Sequence, residues 1–279
     1  MHKINIGIVG LGYVGKAVEN FFKKFYKINT FDINGESNCS TLDEAVELSE
    51  LLFVCLPTPM MKDGSCDLRI LKKVISDIDF IASQPKLIVI KSTVPVGTTD
   101  FFKIKYPNLN FCFNPEFLTE ANFINDFKNQ DRIIIGGDNL NMIYRLYFET
   151  FEGVKIIKTD FKTAEMVKYI TNTFLATKVS FANEIASFCE KLNINYNNVI
   201  DIAKIDKRLG QSHWKVPGPD GKKGYGGSCF PKDISSLISQ FKDNDIESII
   251  LDASLNRNNS IDRPEKDWME LKGRSVSEE

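Results

Sequence analysis

An apolar run from Ile4 to Val9 leads into GLGYVG, and beyond it Ala17, Val18, Phe21 and Phe22 recur at helical spacing. Strand, glycine turn and helix in that order are how a dinucleotide-binding βαβ unit begins, because the glycines give the tight turn and let a diphosphate approach the backbone. The next apolar run, Ile28 to Phe31, ends in Asp32, 22 residues after Gly10, where a carboxylate accepts both ribose hydroxyls of an adenine nucleotide. Ile33 and Asn34 follow, with no arginine near enough for a 2′-phosphate, so NAD is favoured over NADP. Gly10, Gly12, Tyr13, Val14, Gly15 and Asp32 are the expected cofactor contacts. The competing reading of the same pattern is a nucleotide-free α/β turn with a surface aspartate.

The alternation continues. Strands are expected at 51–56, 86–90, 109–113, 132–135 and 154–157, with helices near 68–80 and 99–105. Strands separated by helix-length segments make a Rossmann-type, doubly wound parallel sheet, whose ligands bind beyond the carboxyl ends of the strands. Leu56, Pro57 and Thr58, then Thr93, then Asn114 to Glu120 are site candidates by position. From Asp160 to about Leu192 there is no proline or glycine, and Met166, Ile170, Phe174, Phe181, Ile185 and Phe188 follow a helical period. One long helix therefore opens a second, helical domain. The expected organisation is a cofactor domain over 1–158, a helical domain over 159–255 and a polar tail over 256–279 with one short helix around Trp268.

The most unusual stretch in that second domain is GYGGSCFPKD, Gly224 to Asp233. Gly224, Gly226 and Gly227 allow positive φ and close approach of a ligand to the main chain. Asp233 is expected as the N-cap of a helix carrying Ile234, Leu237, Ile238 and Phe241. A thiol at a helix start with Lys232 beside it has the setting of a reactive cysteine, while a small buried hydrophobe is the other reading of Cys229. On the long helix Lys168 and Asn172 are spaced i and i+4 and can serve one ligand, or can be ordinary solvated surface.

Composition narrows the classes. With 35 basic and 37 acidic residues in 279, the chain has no basic stripe for nucleic acid, and 43% hydrophobic residues support sizeable cores. No stretch reaches membrane-spanning length and no cleavage pattern of a signal peptide is present, so a cytosolic location is expected. Six cysteines without a CxxC pair, with His2 and His213 the only histidines, suggest neither a disulfide framework nor a zinc site.

GLGYVG, CLPTP, STVPVGTT, NPEFLTE, AEMVKYITNTF, DKRLG and GYGGSCFPKD together resemble the UDP-glucose/GDP-mannose dehydrogenase family, in the family's order and over roughly residues 4 to 255. The resemblance implies oxidation of a nucleotide sugar's C6 alcohol to a carboxylate with two NAD, through an enzyme-bound aldehyde stage, in a homodimer formed through the long helix. It implies Cys229 as nucleophile, Lys168 and Asn172 as oxyanion partners, and Glu116, Asp233 and Thr93 as groups that activate the hydrolytic water. Phe117, Leu118 and Glu120 resemble substrate or nicotinamide contacts, Tyr225 and Gly226 substrate contacts, and Arg208 the arginine that reaches a sugar or phosphate in a neighbouring subunit. Two departures from the family's pattern are expected: these 279 residues are expected to hold no counterpart of the family's C-terminal α/β domain, and HWKVPGPDGKK lengthens the loop before the cysteine. That loop is expected to replace part of the missing wall, with Trp214 stacking on a base, or else to be a mobile surface loop. The rival enzymatic expectation is a β-hydroxyacid or 6-phosphogluconate-type dehydrogenase, which needs one hydride transfer and no thiol; a non-catalytic NAD-binding relative is the rival of another class.

Overall fold

A computed structural model describes residues 4–278, so His2 lies outside the described residues. The chain divides into two compact units, Met1–Thr58 with Leu68–Lys168, and Pro59–Asp67 with Tyr169–Glu279. The division falls inside the long helix rather than before it, and the short 59–67 stretch groups with the second unit.

The first unit is built on seven strands: β1 Ile6–Val9, β2 Ile28–Phe31, β3 Leu51–Val54, β4 Leu87–Ile90, β5 Asn110–Phe113, β6 Arg132–Gly136 and β7 Lys155–Thr159. Their order across the sheet is β2-β1-β3-β4-β5-β6-β7. Every pairing is parallel except β5 with β6, which meet antiparallel at Phe113 and Gly136. The helices are α1 Tyr13–Phe22, α2 Leu42–Glu47, α3 Arg69–Ile81, α4 Thr98–Lys105, α5 Phe123–Lys128 and α6 Asn141–Thr150. Strand residues alternate between two cores, as a sheet covered on both faces requires. Leu51 and Phe53 join Phe22, Phe127 and Tyr147 on one side, while Leu52 and Val54 join Ile75, Phe102 and Phe161 on the other.

Chain order reverses between β1 and β3, whose last residues Val9 and Val54 are in register. This is the switch point at which an open α/β sheet leaves a crevice for a ligand. The two turns leaving that point, at Gly10 and Cys55, therefore emerge side by side.

The long helix, α7, spans Phe161–Lys191. In the second unit it is followed by α8 Tyr196–Ala203, a 3-10 turn Lys207–Leu209, α9 Phe230–Asp243 and α10 Ile249–Arg257. One core joins Ala176, Tyr225 and Ile234 to Phe230 and Leu255; a smaller one joins Ala182, Ile200 and Trp214. No helix among the described residues is long and apolar enough to cross a membrane.

Three expectations need correction. Asp233 is not the N-cap of α9: the helix begins at Phe230 with Cys229 as the cap residue, because Pro231 is tolerated in a first turn that needs no backbone donor there. Trp214 does not stand out in a loop for stacking on a base. It is 8% exposed, against Tyr196 and Val216, with its indole N–H given to the Gly210 carbonyl at 3.0 Å. The 256–279 stretch, expected to be a tail from its polarity, packs into the second unit over its described residues, 256–278, with Trp268 and Asn258 buried. Several of its polar groups find partners within the unit: Arg263 forks onto Asp267 at 2.8 and 2.7 Å, and Met60 N–H donates to the Ser275 carbonyl at 2.8 Å.

Candidate active site

Glycine chemistry shapes the turn after β1. Gly10 has φ +93, and a Cβ there would lie 2.5 Å from the Cys55 carbonyl; a Cβ on Gly15 would lie 1.9 Å from the Gly10 carbonyl. Gly12 opposes nothing within 4 Å, so the turn is open on its outer side. Gly12 is also the N-cap of α1, without a side-chain cap, so the positive end of the helix faces the turn as a setting suited to an anionic ligand. Asp32, at the end of β2, accepts the Leu11 N–H at 2.6 Å and the Asn34 N–H at 2.8 Å, so its carboxylate is held at the rim of the same turn. A bare turn, a helix start without a side-chain cap and a fixed acid fit NAD. Tyr13 lies exposed with its ring 5.2 Å from Phe123, and half-buried Val14 completes the turn.

Prediction follows directly for Gly15→Ala. Its methyl has only backbone to displace, so a loss of roughly 3 kcal/mol is expected. The check is a thermal melt together with NAD titration; unchanged melting and unchanged affinity would refute the close-packing account.

The turns after β3 and β4 are pinned to each other. Leu56 exchanges bonds with Ser92, its N–H donating at 3.0 Å and its carbonyl accepting at 2.6 Å, and the Thr58 hydroxyl donates to the Thr93 carbonyl at 2.7 Å. Pro57 is exposed between them. At the start of α4, Gly97 carries no side-chain cap; Glu165 of α7 supplies one, accepting from the Gly97 and Thr99 N–H groups at 2.6 and 2.9 Å. Burial pushes the Glu165 carboxyl up against the pull of those donors.

Beyond β5, Glu116 forms an ion pair with Lys91, whose side chain is wholly buried. Lys91 also donates to Asn114 Oδ1 at 2.6 Å, and Asn114 accepts from the Tyr147 hydroxyl as well. The Lys168 ammonium donates to the Glu116 carbonyl at 2.6 Å and lies 5.4 Å from the Phe117 ring centroid, with Arg132 on that ring at 4.7 Å. A cavity of 380 Å³ opens here, lined by Glu116, Phe117, Leu118 and the 125–132 stretch. Glu120 is half-buried on the same loop. Burial pushes the thiols of Cys55 and Cys112 up to about 12, which marks them as packing residues.

In the second unit the cap residue Cys229 is half-buried, with the Ser228 hydroxyl 3.8 Å from its sulfur. On the next turn of α9, Asp233 is 1% exposed, accepts from the Asn172 amide at 2.5 Å and pairs with Lys232. Burial disfavours the Lys232 ammonium, yet Asp233 and the neighbouring thiols of Cys229 and Cys66 hold its pKa above the ordinary value. Cys229, Lys232, Asp233 and Asn172 thus form one polar cluster at the start of α9. Gly226 is half-buried just before it, whereas Tyr225 is a core residue, its ring with Ala176 and Ile234. Arg208 is exposed and folded onto Asp206, at 2.9 and 3.0 Å through Nε.

Sequence reasoning missed Lys91 and Tyr147. A lysine closing the apolar run of β4 was the available signal for the first; nothing local marks the second. Asn258, fully buried and bonded to both the N–H and the carbonyl of Tyr225 at 2.8 and 3.0 Å, was missed with the rest of its segment.

Comparison with known proteins covers both units. Residues 27–152 match the NAD binding domain of the UDP-glucose/GDP-mannose dehydrogenase family, and residues 162–260 match its central domain. A UDP-glucose 6-dehydrogenase of Rickettsia bellii is 39% identical over 227 residues, 78% of this chain and 51% of that protein. One from Bacillus subtilis is 34% identical over 85% of this chain and 53% of its own length. The chain therefore spans about half the length of these curated relatives. Among solved structures, a UDP-glucose dehydrogenase from Pyrobaculum islandicum superposes with a TM-score of 0.83 at 28% identity, over 92% of this chain and 68% of that one. NAD is the cofactor that the first unit's domain model specifies, and on both matched domains the chain belongs to the UDP-glucose/GDP-mannose dehydrogenase family.

Proposed function

We propose that this chain is an NAD-dependent nucleotide-sugar 6-dehydrogenase that oxidises the C6 alcohol of its substrate, UDP-glucose in the first instance, to the carboxylate. The observation that carries the reading is Cys229 as the cap residue of α9, half-buried and followed within one turn by Lys232 and Asp233, with Asn172 bonded to the latter. NAD, when bound, accepts a hydride from C6 in each of two oxidations. After the first, Sγ of Cys229 adds to the aldehyde carbon and the carbonyl oxygen takes up a proton, giving a thiohemiacetal. Loss of the second hydride, with the hydroxyl proton, leaves a thioester. Water then attacks that carbon and the thiolate departs.

The remaining roles follow from chemistry. Lys168 and Asn172 bring an ammonium and an amide N–H, the two donor types suited to an oxygen that carries developing negative charge. Glu116, Thr93 and Asp233 are the groups available to orient or deprotonate the water. Phe117, Leu118, Glu120, Gly226 and Arg208 are assigned to the sugar nucleotide; Tyr225, with its ring in the core and both backbone groups bonded to Asn258, is assigned to shaping the glycine loop rather than to direct contact. The test is NADH absorbance with UDP-glucose, UDP-galactose, UDP-N-acetylglucosamine and GDP-mannose. Two NADH per sugar, with an acid product, is the expected result; no absorbance change with any of them would defeat the proposal.

A homodimer through α7 belongs to the same reading. Ile170, Phe174, Phe181 and Phe188 form a stripe of aromatic and aliphatic side chains, each more than half exposed in the single chain. A continuous apolar stripe of that kind marks an association surface. Replacing Phe174 and Phe181 by glutamate is expected to shift the sedimenting species from dimer to monomer. An unchanged dimer would place the interface elsewhere.

A further inference from the structure

The matched central domain ends at residue 260, yet the chain continues into a packed segment that touches the loop in front of Cys229. Within it Arg263 is 4% exposed. Its guanidinium fills the space where a Gly226 side chain would begin: a Cβ there would lie 2.6 Å from Cζ and 2.8 Å from both Nε and Nη2. Two acids hold it in place, Asp267 through Nε and Nη2 at 2.8 and 2.7 Å and Asp220 through Nη2 at 2.7 Å. Its remaining nitrogen, Nη1, is buried with no hydrogen-bond partner among the described residues. A buried donor left unsatisfied is costly. The side chain is therefore better explained by where it stands than by the bonds it makes.

The neighbouring glycine is braced in the same way by another side chain. Gly224 has φ +68 and would meet Asn258 Oδ1 at 2.4 Å, while Asn258 bonds both backbone groups of Tyr225. Farther along, the Met60 N–H donates to the Ser275 carbonyl and the Ser277 N–H to the Met60 carbonyl, tying the segment to the stretch that carries Cys66. Three glycines in four residues would otherwise leave the approach to Cys229 with wide conformational freedom.

We infer that Arg263 is a positioning residue for Cys229: braced by Asp267 and Asp220, its guanidinium packs against Gly226 and restricts the glycine loop to the conformation that presents the thiol. The inference rests on the reading of Cys229 as nucleophile, but its effect on the thiol can be measured without any sugar.

The experiment is a coupling measurement in a Cys66→Ser background, following alkylation of Cys229 by iodoacetamide through peptide mass. Gly226→Ala with Arg263 retained drives a methyl into the guanidinium and is expected to change the alkylation rate by roughly tenfold. With Arg263→Ala already present the methyl has room, and Gly226→Ala is expected to change the rate less than about twofold. Arg263→Lys retains a charge for the two acids but not the fork. It should lower kcat with UDP-glucose while leaving KM for NAD unaltered, a split that general loss of stability does not produce. Equal effects of Gly226→Ala in both backgrounds, or an Arg263→Lys chain with unaltered kcat, would overturn the inference. Coupling in the alkylation rate without oxidation of any sugar nucleotide would uphold Arg263's role and refute the proposed reaction instead.

Discussion

Cys229→Ser is expected to abolish formation of the acid, with turnover to the carboxylate falling by at least about 10³-fold. A serine hydroxyl stays protonated at neutral pH and does not form the covalent adduct from which a second hydride can leave. The substitution is nearly isosteric at a half-buried cap residue whose side chain does not cap the helix, so folding should be little affected. Melting temperature and NAD affinity are accordingly expected to match the parent chain. Product analysis with NADH stoichiometry is the decisive measurement. A single-step β-hydroxyacid type of dehydrogenase would barely register the change, so undiminished turnover in Cys229→Ser would eliminate the thiol mechanism and leave that alternative.

The largest loss of stability is expected from Lys91→Met. Lys91 and Glu116 are paired with side chains 0% and 8% exposed, and removal of the cation leaves a carboxylate buried without compensation. Breaking one side of a buried pair costs roughly 3–5 kcal/mol. Asn114 Oδ1 would also lose a donor, though the Tyr147 hydroxyl still supplies one. Lys91→Met combined with Glu116→Gln removes both charges and should recover more than half of the loss, because the desolvated anion is then gone. Denaturant melts of the single and double variants provide the check. If the double variant proves as unstable as Lys91→Met, the ion pair is not what holds this loop. Glu116 also carries a proposed role with water, so activity in the double variant is expected to stay low while stability returns.

Much of the first unit could be read from local pattern alone. GLGYVG between an apolar run and a helical repeat, with Asp32 closing β2, needs only neighbours in sequence to be recognised, since turn, strand and helix are set by short-range sterics and periodicity. Short helices were harder. α2 was missed although Thr41 accepts the Glu44 N–H at 3.1 Å and the Glu44 carboxylate takes the Ser40 N–H at 2.8 Å, a near relative of the capping box that the letters TLDE announce. In α9 the proline stands in the first turn, where the missing N–H costs nothing, so the helix starts at Phe230 and not after Asp233.

What sequence by itself determined was the set of reactive groups and the class of sheet: Cys229 among glycines, Lys168 and Asn172 four apart, acids at strand ends. Folding alone decided which of those groups have partners. Lys91 and Tyr147 come to Asn114 from 23 and 33 residues away, and Asn172 comes to Asp233 from 61. The polar 256–279 stretch shows why: its charges looked solvated because each was read alone, whereas Arg263 is buried against Asp267, Asp220 and a glycine that has no side chain. Burial of a charge depends on what reaches it through space, and linear spacing carries no record of that.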